Sequence, residues 1–136
     1  MRKTNLGFTL LELLVVVAII GLLASYVGPK YFQQINKSEK VAAKAQIETI
    51  AKVINTYRID VGRFPSSTEG LKALVEKPAA ANGWAGPYLD KAVPLDPWGH
   101  AYVYKMPGTQ GRDFDLISYG SDGQPGGTDS AADVTN

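Results

Sequence analysis

The side chains in this chain that could do chemistry are few and mostly acidic. One carboxylate, Glu12, lies in an otherwise apolar run, and three more, Asp122, Asp129 and Asp133, lie in a glycine-rich tail that has no basic residue after Arg112. A carboxylate in a membrane-length apolar span costs about 2.5–3.5 kcal/mol on insertion scales, so Glu12 indicates function and needs a partner. Carboxylates and carbonyls in a glycine-rich loop are ligands that a hard cation such as calcium accepts, so the tail is either a cation loop or a solvated flexible segment.

Catalysis and nucleic-acid binding find no support in the composition. The chain has 136 residues, no cysteine and one histidine, which removes disulfides, thiolate metal sites and thiol nucleophiles. His100 has no compact acidic pair beside it, so it forms neither a zinc site nor a triad, and we expect a surface or loop residue. The net charge is +1 and no Lys/Arg cluster interleaves the aromatic residues. We therefore expect no enzyme and no nucleic-acid partner.

An apolar run positions Glu12. Residues 8–27 carry one charge in 20 residues, and a helix of that length spans about 30 Å, the thickness of a bilayer core. Arg2 and Lys3 precede the run and Lys30 follows it, which favours a cytoplasmic N-terminus. A cleaved secretory signal is the alternative, but the run is too long and continues directly into an amphipathic helical pattern.

The remainder predicts a small α+β head packed on the same helix. Apolar residues recur at spacings of three and four to about Asp60, and Gly28-Pro29 should kink or locally unwind the helix. Ser66 to Thr68 resemble capping or turn residues, ahead of a short helix. Alternating aromatic and branched residues indicate a small antiparallel sheet. The expected elements are a long helix over 8–60, a short helix over 68–75, a loop over 78–87, strands over 101–105 and 114–119, and a hairpin loop over 107–111.

The residues around Glu12 carry a family resemblance. The string Gly7-Phe8-Thr9-Leu10-Leu11-Glu12 resembles the processing signal of type IV pilins and type II secretion pseudopilins. The resemblance implies that a prepilin peptidase cuts between Gly7 and Phe8, that Phe8 is then N-methylated, and that Glu12 pairs with a neighbouring subunit during assembly. It also implies that the helix loosens around Pro29 in filaments. The corresponding segments are a leader (1–7), a transmembrane and filament-core helix (8–29), and a periplasmic globular domain (30–136).

Motifs further along narrow the resemblance to major pseudopilins. The segments YRIDVGRFP (57–65), TEGLKALV (68–75), LDPWG (95–99) and DLISYGSDG (115–123) look like signatures of that family, whereas type IV pilins usually have a C-terminal disulfide. The resemblance implies a type IV pilin-like fold and a homopolymer in the periplasm that helps push folded exoproteins across the outer membrane. Its implied partners are minor pseudopilins, the prepilin peptidase, the inner membrane and its assembly platform.

The same resemblance favours calcium in the tail. Major pseudopilins bind calcium in this loop, which implies Asp122 and Asp133 as matched ligands and Asp129 as a third candidate. Carbonyl groups near Leu116 and Ser118 would complete the shell.

Two other functions stay open from the residues. One is a type IV or competence pilin, which would form surface filaments for adhesion or DNA uptake. The other is a monomeric, membrane-tethered calcium-binding domain, for which replacing Glu12 with alanine would be nearly silent.

Overall fold

One long helix dominates the computed structural model, which describes residues 7–136. This helix, α1, runs over Leu10–Val61 (52 residues). Its first part is uniformly apolar and exposed, whereas its second part buries one face, at residues spaced three, four or seven apart. That periodicity is the signature of an amphipathic helix packed on a core. The buried residues are Ala43, Ile47, Ile50, Ile54 and Tyr57.

The chain divides into two compact units, which share α1. The first ends at Ile35 and the second spans Asn36–Asn136. In the first unit, the most apolar stretch of the helix has none of its surface buried. The second unit is the head, and it contains all the β-structure of the described residues.

The head contains a three-stranded antiparallel sheet in the order β1-β2-β3. Strand β1 is Val103–Lys105, β2 is Asp115–Ser118 and β3 is Val134–Thr135. Val103 pairs with Ile117, and Ile117 pairs in turn with Thr135. Such short strands are not stable alone, so the sheet depends on packing against α1.

The core of the head lies between α1 and this sheet. Ile54, Tyr57, Leu74 and Leu116 have no exposed surface, and they form one cluster with Phe114. The tyrosine hydroxyls at the edge of the core find partners: Tyr104 donates to the carbonyl oxygen of Pro65 at 2.9 Å and Tyr102 to Gln46 at 2.5 Å. Burial raises the pKa of Tyr102 and Tyr104 to about 12.

The structure refines two predictions of secondary structure. The helix is continuous through Pro29 without local unwinding at that residue, and its loosening in filaments stays a prediction. Proline removes one amide donor, and the helical bonds on both sides are retained. The predicted helix over 68–75 is a shorter 3-10 helix at Gly70–Leu74.

The other predicted elements are confirmed with small shifts of boundary. Both predicted strands form, and residues 78–87 contain no helix or strand. Ser66 acts as the predicted cap, since its hydroxyl accepts from the amide of Glu69 at 3.2 Å, while the Glu69 carboxylate accepts from the amide of Ser66 at 2.8 Å. The glycine-rich tail contains two 3-10 turns (Gly120–Asp122 and Asp129–Ala131) before β3.

Candidate functional site

The start of α1 is built by a reciprocal pair of side chains. The hydroxyl of Thr9 accepts from the amide of Glu12 at 3.2 Å, and the carboxylate of Glu12 accepts from the amide of Thr9 at 3.0 Å. This arrangement is a capping box, which satisfies two amide donors that a helix start leaves unpaired. Glu12 therefore has hydrogen-bond donors within its own chain. The T-x-x-E spacing was the sequence signal for this contact, and our sequence analysis missed the role of Thr9.

The predicted cleavage point lies just ahead of that box. Gly7, Phe8 and Thr9 have no regular structure, and the Phe8 side chain is 82% exposed. Gly7 is exposed as well, so both residues that flank the predicted cleavage point lie on the surface of the described structure. The rest of the predicted leader, residues 1–6, lies outside the described residues.

The helix that follows presents apolar side chains with no partner in the chain. Leu10 is 81% exposed, Leu22 74% and Val17 68%. Between Phe8 and Val27, Glu12 is the one charged residue. Isolated apolar residues on a surface are ordinary, but an exposed span of this length marks a surface for a membrane or for other proteins. Pro29 lies two residues beyond this span, inside the helix.

The three aspartates of the tail share one loop but are not gathered. Asp122 accepts from the amide of Gln124 and Asp133 from the amide of Gly126, both at 3.0 Å. Asp129 begins a 3-10 turn with a positive φ of 50°. Within residues 7–136, no three acidic or histidine side chains are close enough to hold one metal ion.

The two residues predicted to supply carbonyl ligands belong to the sheet. The carbonyl oxygen of Leu116 accepts from the amide of Asn136 at 3.2 Å, beside the pairing of β2 with β3. The hydroxyl of Ser118 donates to Asp96 and accepts from the amide of Gly120 at 3.3 Å. Both residues make contacts within the sheet region, and their part in a ligand set stays a prediction.

A buried carboxylate fixes the beginning of the loop, and sequence reasoning did not single it out. Asp96 is 4% exposed and accepts from the Ser118 hydroxyl at 2.6 Å. Its other oxygen accepts from the amides of Trp98 at 3.1 Å and His100 at 2.7 Å. The His100 ring in turn lies 3.0 Å from the carbonyl oxygen of Gly120. His100 is thus a loop residue, as expected, and its ring contacts the loop at Gly120.

Two further side-chain contacts stabilise the head, and the first of them involves α1. The indole of Trp98 donates to Glu39 on α1 at 2.8 Å, a pair 59 residues apart. Arg63 donates two bonds of 2.7 Å to Glu69. These hydrogen bonds lower the pKa of the Glu69 carboxyl to about 2, although its partial burial acts in the opposite direction. Neither pair has the geometry of a catalytic site.

Comparison with known proteins gives matches along nearly the whole length of the chain. The profile of the family described as "Type II secretion system (T2SS), protein G" matches residues 30–136, and that of the "Prokaryotic N-terminal methylation motif" matches residues 2–27. The chain is 41% identical to the type II secretion system core protein G of Pseudomonas aeruginosa, over 99% of this chain and 96% of that protein. It is 40% identical to the protein of the same name from Vibrio cholerae, over 100% of this chain and 93% of that protein.

A solved structure is similar as well. The crystal structure of the major pseudopilin from the type 2 secretion system of enterohaemorrhagic Escherichia coli superimposes with a TM-score of 0.65 and 31% identity. The match covers 76% of this chain and 90% of that one.

Proposed function

The chain belongs to the type II secretion system protein G family, and we propose that it is the major pseudopilin, the structural subunit that polymerises into a periplasmic pseudopilus. The filament would help push folded exoproteins across the outer membrane. The observation that carries the proposal is the exposed apolar span of α1, which continues into the helix that forms the core of the head. Burying that span in a membrane or against other copies is strongly favourable, at about 25 cal/mol for each Å² removed from water.

Glu12 distinguishes assembly from simple anchoring. In a tethered monomer the carboxylate can only cap its own helix, whereas a polymer can also pair its charge with the terminal amine of a neighbouring copy. The capping box supports this role, because it holds the carboxylate at the N-terminal end of the helix, where such an amine would lie. The match to the protein G family, rather than to a pilin for adhesion or DNA uptake, favours the secretion filament.

The test is filament formation by the full chain with its assembly system, measured as polymer sheared from cells. We expect Glu12→Ala to abolish the polymer, while the Glu48→Ala control on an exposed acid of the same helix assembles normally. Polymer from Glu12→Ala at the wild-type yield would contradict the role of Glu12 in assembly, whereas a wild-type chain that forms no polymer would favour a tethered domain.

Processing between Gly7 and Phe8 is the second part of the proposal. The methylation-motif match over residues 2–27 and the accessible segment before α1 support it. The mature protein would begin with N-methylated Phe8, keep its anchor helix in the inner membrane, and hold its head in the periplasm. Intact-mass measurement of the mature protein is the test, and a product that begins beyond Val27 would refute the membrane-anchored polymer.

Calcium binding in the tail is the third part. The carboxylates of Asp122, Asp129 and Asp133 are exposed, hard oxygen ligands, which calcium prefers. The loop also closes tightly on itself, since a Cβ on Gly127 would lie 2.5 Å from the carbonyl oxygen of Ala131. Bound calcium would neutralise charge and cross-link the loop, after the aspartates had moved together, with the carbonyls of Leu116 and Ser118 as further candidates.

The test is the melting temperature of the full chain in calcium and in a chelator. We expect calcium to raise it in the wild type and to have a smaller effect on Asp122→Asn and Asp133→Asn. An unchanged wild-type melting temperature would remove calcium from the proposal.

A further inference from the structure

One side of α1 in the head carries positive charge without a partner. Lys37 lies three and four residues before Lys40 and Val41, and Lys44 lies four and three residues after them, so the four share one side of the helix, which we name the lysine face. Among the described residues none of these lysines forms an ion pair, and Lys44 donates instead to a carbonyl oxygen of β3 at 2.7 Å. Glu39, the acid within this stretch, accepts from Trp98. Val41 is 63% exposed at the centre of the face.

The same head carries the complementary charge elsewhere. The segment 119–133, which we name the acidic loop, contains Asp122, Asp129 and Asp133 and no basic residue. All three side chains are exposed, and in the described part of the chain none is ion-paired. The loop is held in place rather than free, because the His100 ring contacts it at Gly120.

We propose that the lysine face of one copy docks against the acidic loop of a second copy in the assembled polymer. The inference rests on the proposed function, because it requires a polymer of this chain. Covering the exposed Val41 would draw the surrounding lysines out of water, and a charge that leaves water without an opposite charge is strongly disfavoured. The acidic loop supplies that charge on the same molecule, and it would keep one net negative charge even with a bound divalent cation.

Single cysteines can test the contact directly, because the chain has none of its own. Copies with Lys37→Cys and copies with Gln124→Cys, each with a different tag, are assembled together and oxidised. Gln124 is exposed in the acidic loop and its replacement leaves the three carboxylates in place. We expect disulfide-linked heterodimers from the filaments. The control is Lys52→Cys, on the same helix about 22 Å from Lys37, which should not link to Gln124→Cys.

Charge reversal tests the same contact through its effect on the yield of filaments. We expect Lys37→Glu with Lys40→Glu to lower filament yield about tenfold, since like charges would face each other between copies. The matched reversal Lys52→Glu should leave the yield unchanged. Adding Gln124→Lys to the doubly reversed chain should raise the yield above that of the doubly reversed chain alone, because it lowers the negative charge of the loop by one. A wild-type melting curve for the doubly reversed chain shows that its head is folded.

The two levels of the proposal fail differently. Filaments that contain both cysteine copies but yield no heterodimer overturn the docking inference, and so does a wild-type yield from the doubly reversed chain. In both cases the pseudopilus proposal stands. A wild-type chain that forms no filament with its assembly system overturns the proposed function and the docking inference together.

Discussion

Replacing Asp96 with alanine should destabilise the head more than any other single change to its polar groups. The carboxylate is buried and accepts from the Ser118 hydroxyl and from the amides of Trp98 and His100. Asp96→Ala leaves all three donors without this acceptor. The Ser118 side chain is fully buried, so water cannot replace the lost acceptor there.

The size of the effect follows from these three bonds. A hydrogen bond to a charged group contributes about 1.5–3 kcal/mol, and a buried donor left unpaired costs about 1–3 kcal/mol. Water can reach the two half-buried amides, so we expect a loss of about 3–4 kcal/mol for Asp96→Ala. Asp96→Asn keeps the shape and one acceptor oxygen, and its amide group can donate to Ser118, so we expect a loss of about 1 kcal/mol. The total free energy of unfolding of a typical domain is about 5–15 kcal/mol.

The assay is urea unfolding of the full chain in detergent, with tryptophan fluorescence as the readout. Trp84 and Trp98 are the two tryptophans, and both lie in the head, so the signal reports the head without the apolar helix. A loss below about 1 kcal/mol for Asp96→Ala would refute the reasoning. Equal losses for Asp96→Ala and Asp96→Asn would refute it too, because they would show that hydrogen-bonding capacity is not what the site supplies.

Three further predictions concern the head. The hydrogen bonds from Arg63 lower the pKa of Glu69 from 4.5 to about 2. The ionised Glu69 therefore stabilises the folded head above pH 4.5, and this stabilisation is lost as the pH falls from 4.5 to about 2. Glu69→Gln should make the stability of the head depend less on pH in that window, as measured by acid unfolding. Ile54→Ala removes a fully buried side chain and should cost about 2–5 kcal/mol in urea unfolding, and a loss under 1 kcal/mol would contradict the core assignment. Gly127→Ala should lower the melting temperature more than Gly126→Ala, because both have positive φ but only Gly127 faces a nearby carbonyl oxygen.

The sequence predicted the parts of the fold that depend on local pattern. The spacing of Ile50, Ile54 and Tyr57 predicts the buried side of α1, and their burial confirms it, whereas Val41 of the same predicted stripe is exposed. The alternation in 101–105 and 114–119 predicts β1 and β2, and both form. A two-residue strand such as β3 has no periodicity to detect, so its place in the sheet depends on the partner strand rather than on its own residues.

The contacts that position the candidate loop could not be predicted. Asp96 and Ser118 are 22 residues apart, and Trp98 and Glu39 are 59 apart. No local pattern reports which side chains a fold will bring together at such distances. Burial of the Asp115 carboxyl would raise its pKa, but its bonds from Thr109 and the nearby Arg112 charge outweigh burial and leave the pKa lowered. Nothing in the sequence alone distinguishes Asp115 from any other aspartate of the hairpin.

The bond between Lys44 and the carbonyl oxygen of Thr135 joins residues 91 positions apart. The ribosome therefore completes α1 long before it makes the strand that closes the sheet. Until then the nascent chain carries an amphipathic helix whose apolar side has no partner, and contacts of such long sequence separation form slowly. Folding of the head is consequently a late event in biosynthesis, and a stalled or shortened chain would expose that helix to proteases and to aggregation.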